Sequence, residues 1–320
     1  MIAPLAVPAP RSLAVEALVE RARGYAENAQ APNTRRAYES GLRDFRDFCD
    51  GHGLVAFPAT PATIVEYVTH LAARAKVATI RQRLAAISVQ HQRAGQDSPC
   101  AHRLVRDVIR GISREKGVAP VKKSAATTDV VRSLLVAIEG DDVAARRDRA
   151  IVLLGFAAAL RRSELAALRV EDLRWSKEGL LVRIARSKTD QTGEGVDLAV
   201  PYVGTQALCA ARAVKRYLAA AAIESGPLFR SLTMQRDLGA SSIGGRDVAN
   251  LVKRLARRAG LDGDFSGHSL RAGFATSAAA AKVSLDAIAR TTRHKSLSGL
   301  LGYVRPAQAF DDVALSSIFS

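Results

Sequence analysis

The chain is poor in cysteine, in aromatic residues, in long apolar runs and in acidic charge, and each shortage excludes something. Its three cysteines (Cys49, Cys100, Cys209) lie far apart among 320 residues. No C-x-x-C pair and no Cys/His cluster with zinc spacing occurs, so they read as free thiols in a reducing compartment rather than as a disulfide frame or a metal site. Aromatics make up 5% of the chain, while Ala and Leu are abundant; that balance favours helix over sheet. The longest apolar run, "AIVLLGFAAAL" at 150–160, is well short of the roughly 20 residues a spanning helix needs. The opening "MIAPLAVPAP" lacks the charged start of a signal peptide. There is no GxxxxGK[ST] phosphate loop, no HExxH and no GxSxG. The acidic pairs Asp141–Asp142 and Asp311–Asp312 lack the partners that a two-metal phosphoryl-transfer site requires.

What the chain has in excess is positive charge: 47 Lys+Arg against 31 Asp+Glu, a net +16, with a pI near 10.4. Residues 1–123 hold 19 basic and 11 acidic side chains (19 − 11 = +8). Residues 124–320 hold 28 and 20 (28 − 20 = +8). Both halves carry the excess, as expected where both contact one polyanion, and nucleic acid is the usual one. Arg outnumbers Lys 37 to 10, which suits bidentate phosphate contact. A cytoplasmic, nucleoid-associated location is the matching expectation.

The length suggests about two domains. Residues 1–10, Ala/Pro-rich, read as disordered. A helix is expected at 11–29. In "NTRRAYESGLRDFRDFCDGHG" the apolar residues Tyr38, Leu42, Phe45 and Cys49 recur on one helical face, with Asn33 or Thr34 as N-cap and Gly51 and Gly53 at the end. Further helices fit 62–75, 78–95 (Ile80, Leu84, Ile87 inward) and 102–117. Residues 11–117 thus form an all-helical domain. The stretch 118–127, Pro-, Lys- and Ser-bearing, reads as a linker. Residues 128–320 form a second, mixed domain. Helices fit 128–139, 143–158 and 162–169. A strand–turn–strand spans 179–203, with the tip "KTDQTGEG" between the alternating sets Leu181, Val182, Ile184 and Val196, Leu198, Val200. Helices resume at 205–222, 243–260, 268–281, 284–291, 296–303 and 309–319. The fold class is therefore mainly α with a small β-sheet.

Metal-free attack on a DNA phosphodiester needs three things. Cations must meet the negative charge gathering on the non-bridging oxygens, and Arg fits best. A nucleophile must lie in line, and an acid must protonate the leaving alkoxide. Tyrosine can attack, although with a reference pKa near 10 only roughly one in a thousand is ionised at neutral pH, so it needs a neighbouring base or cations. The sequence holds such a set. "ALRRSELAALRVEDL" supplies Arg161 and Glu164, and "RSKTDQ" supplies Lys188. "SGHSLRAG" supplies His268 and Arg271, one helical turn apart. "RHKSLSGLLGYVR" supplies His294 and Tyr303.

Taken in order and at these spacings, the three boxes resemble those of the tyrosine recombinases, the phage-integrase family, and of its Cre-type members in particular. "NTRRAYESGLRDFRDFC" and "TIRQRLAAISVQHQRAG" resemble the family's core-binding, SAM-like domain, so the likeness covers about 30–319. The resemblance implies that Tyr303 attacks the scissile phosphate to give a 3′-phosphotyrosyl link, that Arg161, Arg271 and His294 hold the phosphate oxygens, that Lys188 protonates the leaving 5′-oxygen and that His268 helps accept the tyrosine proton. Glu164 orients the others. Thr34, Arg36, Thr79, Arg81, Arg83 and Arg246 are the DNA contacts it implies. It implies four protomers on two double-stranded DNA sites, a Holliday junction between two rounds of exchange, and no metal or other cofactor; it leaves room for accessory DNA-bending proteins. Two residues depart from the pattern. Arg162 follows Arg161 where an apolar residue is usual, though Leu160 and the x-x-Glu spacing favour Arg161. Arg293 stands where glycine is usual. The apolar set Val313, Leu315, Ile318 and Phe319 suits docking on a neighbouring protomer or on the chain's own core. Two other functions fit parts of the pattern: a type IB topoisomerase, and a catalytically silent DNA-binding regulator.

Overall fold

The computed structural model describes residues 17–18, 20–22, 24–25, 31–117, 123–185, 195–294 and 299–303. The chain divides into two compact units, Met1–Val121 and Lys122–Ser320. The helix expected at 11–29 lies mostly outside the described residues, as do the apolar set at 313–319 and the hairpin tip.

The first unit contains α1 (Pro32–His52), α2 (Pro61–Arg74), α3 (Val77–Arg93) and α4 (Arg103–Lys116). Helix α1 begins at Pro32 with Ala31 as its N-cap, not Asn33 or Thr34. Proline at the first helical position loses no hydrogen bond and presets φ, so it outcompetes the Asn/Thr cap further in. Of the expected inner face, Phe45, Cys49, Ile80, Leu84 and Ile87 are buried together with Tyr67, Val68 and Leu71, Leu42 packs against them half-buried, and Tyr38, half-buried, lies outside this cluster. Gly53 ends α1 in the left-handed conformation, φ +64°. His91, wholly inside, accepts the Ala59 N–H at Nε2 (3.0 Å) and pairs through Nδ1 with the Ile87 carbonyl (2.8 Å), which fixes it as a neutral structural histidine.

The second unit is built around α6 (Val143–Ala157), which is buried on nearly every side. Around it lie α5 (Thr128–Val136), α7 (Arg162–Ala167), α8 (Ala210–Ala221), α9 (Gly245–Arg258), α10 (Gly267–Ala280) and α11 (Leu285–Thr292). A three-stranded antiparallel sheet, in the order β1 (Leu173–Trp175), β2 (Gly179–Ile184), β3 (Val196–Pro201), covers one side. Its inward set is Leu180, Val182 and Ile184 with Leu198 and Val200; Leu181 and Val196 face away from the core. A second hairpin, β4 (Arg230–Leu232) with β5 (Leu238–Ser242), completes the unit. Residues 123–127 run across α10. The Ala126 N–H donates to the Ser269 carbonyl (2.9 Å), and a Cβ on Gly273 would sit 1.8 Å from the Ala126 oxygen, so no larger residue fits at the end of SGHSLRAG. Among the described residues no helix is long and apolar enough to cross a membrane.

Candidate active site

The end of α6 starts the site. After Ala157 the chain reverses through Ala159 at φ +45°, buries Leu160 and delivers Arg161 as the N-cap of α7. This leaves the Ala158 and Ala159 carbonyls pointing out of a helix C-terminus, where cations are favoured. Glu164 lies one turn into α7. It accepts the Arg161 backbone N–H through Oε2 (2.8 Å) and the Arg161 guanidinium through Oε1 (2.6 Å). Its side chain is only 3% exposed. Arg161 joins this carboxylate, while Arg162 packs its stem against Gly267, whose absent side chain would come within 2.9 Å.

Helix α10 brings the second box. Ser266 caps it, and His268 and Arg271 follow on one face. The Arg271 guanidinium, inside the protein, donates from Nη1 to the Ala159 carbonyl (2.8 Å). Its Nη2 is buried with no partner among the described residues. Burial first, then the neighbouring Arg161 and Arg293, lower its pKa to about 10. An arginine that has lost its water and keeps a donor unspent is prepared for an anion.

The third box follows α11. Arg293 ends that helix in the left-handed conformation, and His294 comes next, its Nδ1 paired with the Thr292 hydroxyl (2.7 Å). Burial, followed by Arg271 and Arg161, drives the His294 pKa down to about 4. Tyr303, on a short helical segment, packs on Ala275, Ala279, Ile288 and Leu300. Its Oη lies 2.8 Å from His268 Nε2, and its ring centroid is 6.1 Å from those of both His268 and His294. Burial, with Arg271 and Arg161 behind it, also lowers the His268 pKa. The lowered pKa favours the uncharged imidazole of His268.

The structure thus gathers Arg161, Glu164, His268, Arg271, His294 and Tyr303 into one place. Lys188 lies outside the described residues, on the stretch joining β2 to β3. Of the expected DNA contacts, Thr34, Arg36, Arg81 and Arg246 are exposed and Thr79 is half-buried. Arg83 is turned inward: its Nη1 donates to Asp44 Oδ1 at 2.5 Å. In the sequence Arg293 stands out only as a departure from a pattern. The structure puts it in the site, with Nη2 donating to Glu164 Oε2 (2.7 Å). Only its position beside His294 hints at that. Among the described residues no group of three or more His, Cys, Asp or Glu is arranged to hold a metal ion.

The chain is similar to known proteins. Residues 125–309 match the model of the phage integrase family, and residues 24–95 that of the phage integrase N-terminal SAM-like domain. An integrase/recombinase XerD homolog of Selenomonas ruminantium is 38% identical over 309 residues, covering 95% of this chain and 91% of that protein. The recombinase Cre of Escherichia phage P1 is 27% identical, covering 87% and 85%. A lambda integrase tetramer bound to a Holliday junction has the same fold, with a TM-score of 0.61 at 16% identity, covering 90% of this chain and 76% of that one.

Proposed function

The chain belongs to the phage integrase family, the tyrosine recombinases, and on that premise we propose how its residues divide the work of breaking and rejoining DNA. Tyr303 Oη attacks the scissile phosphorus as its proton passes to His268 Nε2. Arg161, Arg271 and His294 meet the charge on the non-bridging oxygens. The bond to the 5′-oxygen breaks, and Lys188 returns a proton to that oxygen. The product is a 3′-phosphotyrosyl ester and a free 5′-hydroxyl. Attack by a 5′-hydroxyl from the partner DNA reverses the step and restores the tyrosine, so neither ATP nor metal is consumed. The observation that carries this reading is the 2.8 Å contact between Tyr303 Oη and His268 Nε2 beside an arginine with an unspent donor.

The biological unit of this reading is a homotetramer on two double-stranded DNA sites, passing through a Holliday junction, with the 309–319 segment docking on a neighbouring protomer. It acts in the cytoplasm on nucleoid DNA, with or without accessory DNA-bending proteins. Thr34, Arg36, Thr79, Arg81 and Arg246 supply DNA contacts; Arg83 joins them only by releasing Asp44. The first domain is 11–117, and 118–127 leads to the catalytic domain, 128–320.

A nicked duplex library with randomised arms, in which cleavage releases a short strand and traps the adduct, tests the chemistry whatever the target sequence. Wild type captures DNA covalently in EDTA and Tyr303→Phe does not. Failure of wild type to form any adduct contradicts the reading. Relaxation of supercoiled plasmid at arbitrary positions, without selection of a shared sequence, would favour a type IB topoisomerase instead.

A further inference from the structure

Arg293 is the one guanidinium in the site to which the scheme above gives no part. Its backbone is left-handed, φ +54°, a conformation that glycine adopts freely and a side chain resists. An arginine held there must return something that glycine does not. Its side chain is 6% exposed, and its contacts form a fork. Nη2 reaches Glu164 Oε2 (2.7 Å) and the Ala159 carbonyl (3.3 Å). Nη1 reaches the carbonyls of Ala158 (3.3 Å) and Thr291 (3.0 Å). Nε is buried without a partner among the described residues.

Two consequences follow. Glu164 now has both oxygens committed, Oε1 to the Arg161 side chain and Oε2 to the Arg161 N–H and Arg293. The carboxylate cannot turn to cover Arg271, and its single charge is divided between two guanidiniums. The Ala159 carbonyl is likewise held from two sides, by Arg271 Nη1 and Arg293 Nη2. Arg293 therefore ties together the turn that carries Arg161, the carboxylate that aims it and the carbonyl that aims Arg271. It also adds one positive charge beside Arg161 and Arg271.

Resting on the phosphoryl-transfer reading of this site, we propose that Arg293 is a positioning residue for strand cleavage: through Glu164 and the 158–160 turn it holds Arg161 and Arg271 in the geometry that receives the scissile phosphate.

The test compares single-turnover cleavage of a captured nicked duplex, DNA affinity and thermal melting for wild type, Arg293→Gly, Arg293→Lys, Glu164→Gln and the Gly/Gln double variant. Arg293→Gly suits the left-handed backbone. It is expected to fold and bind DNA as wild type does, yet cleave roughly tenfold to a hundredfold more slowly, the scale of effect that small misplacements of catalytic groups produce. Arg293→Lys is expected to fall between them, because lysine keeps the charge but not the planar fork. The double variant should cleave no more slowly than the slower single variant, since both act through one contact. Cleavage by Arg293→Gly at the wild-type rate, or strictly additive losses, overturns the proposal. Should Arg293→Gly not fold, Arg293→Lys decides: a slower rate at unchanged melting supports positioning, and a rate that merely tracks the folded fraction refutes it. These outcomes are separate from failure of the recombinase reading, which would show as wild type forming no adduct at all.

Discussion

Asp44 in the first unit and Glu164 in the second each gather arginines around one carboxylate. Asp44 accepts the Tyr67 hydroxyl (2.7 Å), Arg83 (2.5 Å) and Arg74 (3.1 Å). Burial, then Asp44, pushes the Tyr67 hydroxyl pKa up, so that tyrosine stays protonated and merely donates. The cluster lies near the surface: Arg74 is 48% exposed, and water can complete its hydrogen bonds. Glu164 is almost wholly buried, its two arginine partners are joined by a third, Arg271, and two donors in the group, Arg271 Nη2 and Arg293 Nε, are buried without partners among the described residues. Similar residue types give one cluster that is geometrically closed, with two guanidiniums to its carboxylate, and another that is more cationic and open, with three. Burying such donors is costly unless an anion arrives, which suits the phosphate proposed for this site. Each tyrosine follows its cluster: Tyr67 faces a carboxylate, while Tyr303 faces an imidazole.

The contrast can be broken in stages. Tyr303→Phe has the largest effect, complete loss of covalent adduct, whereas Tyr67→Phe leaves adduct formation intact and lowers only stability; gel-resolved adducts and melting curves separate the two. Arg271→Lys keeps a charge but not the fork, and loses on the order of a hundredfold to a thousandfold in single-turnover cleavage, as expected for one preorganised donor to a transition-state oxyanion. Asp44→Asn weakens the closed cluster by about 1–3 kcal/mol in denaturant unfolding, the usual penalty for spoiling a charged hydrogen-bond acceptor, and leaves the cleavage step at saturating enzyme unchanged.

The smallest effect is on pH. His294 has a lowered folded-state pKa of about 4 against an ordinary 6.5, so the unfolded chain binds more protons between those values and stability rises with pH across that window. DNA-free protein therefore melts at progressively lower temperature as pH falls from 6.5 towards 4, and His294→Gln flattens that slope. No such slope is tied to His294 once a phosphate occupies the site, because the anion favours the protonated ring.

Much of the fold is legible in the sequence, for identifiable reasons. The helices of the first unit show in the spacing of Phe45, Cys49, Ile80, Leu84 and Ile87, because a 3.6-residue repeat is written in the sequence. The site residues sit in three short boxes, each on one helix or helix end, so local spacing already puts His268 and Arg271 on one face. The strands β1, β4 and β5 are not legible. They run three, three and five residues, too short to show alternation, and the turn through Thr233–Asp237 lacks an Asn-Gly or Asp-Gly signature. The role of Arg293 is illegible for a different reason: its partners Glu164, Ala158 and Ala159 are more than a hundred residues away in the chain. The Arg83–Asp44 pair is illegible in the same way, since nothing local tells that the two helices bring them together.

The central claim is that the open cluster exists to place one phosphate against Tyr303. Its most direct test is mass spectrometry of the protease-digested adduct trapped on the nicked duplex in the presence of EDTA. The account predicts a 3′-phosphonucleotide on the peptide that carries Tyr303 and on no other. An adduct on a different residue, a 5′-phosphate linkage, or an adduct that forms only when a divalent metal is restored would contradict it.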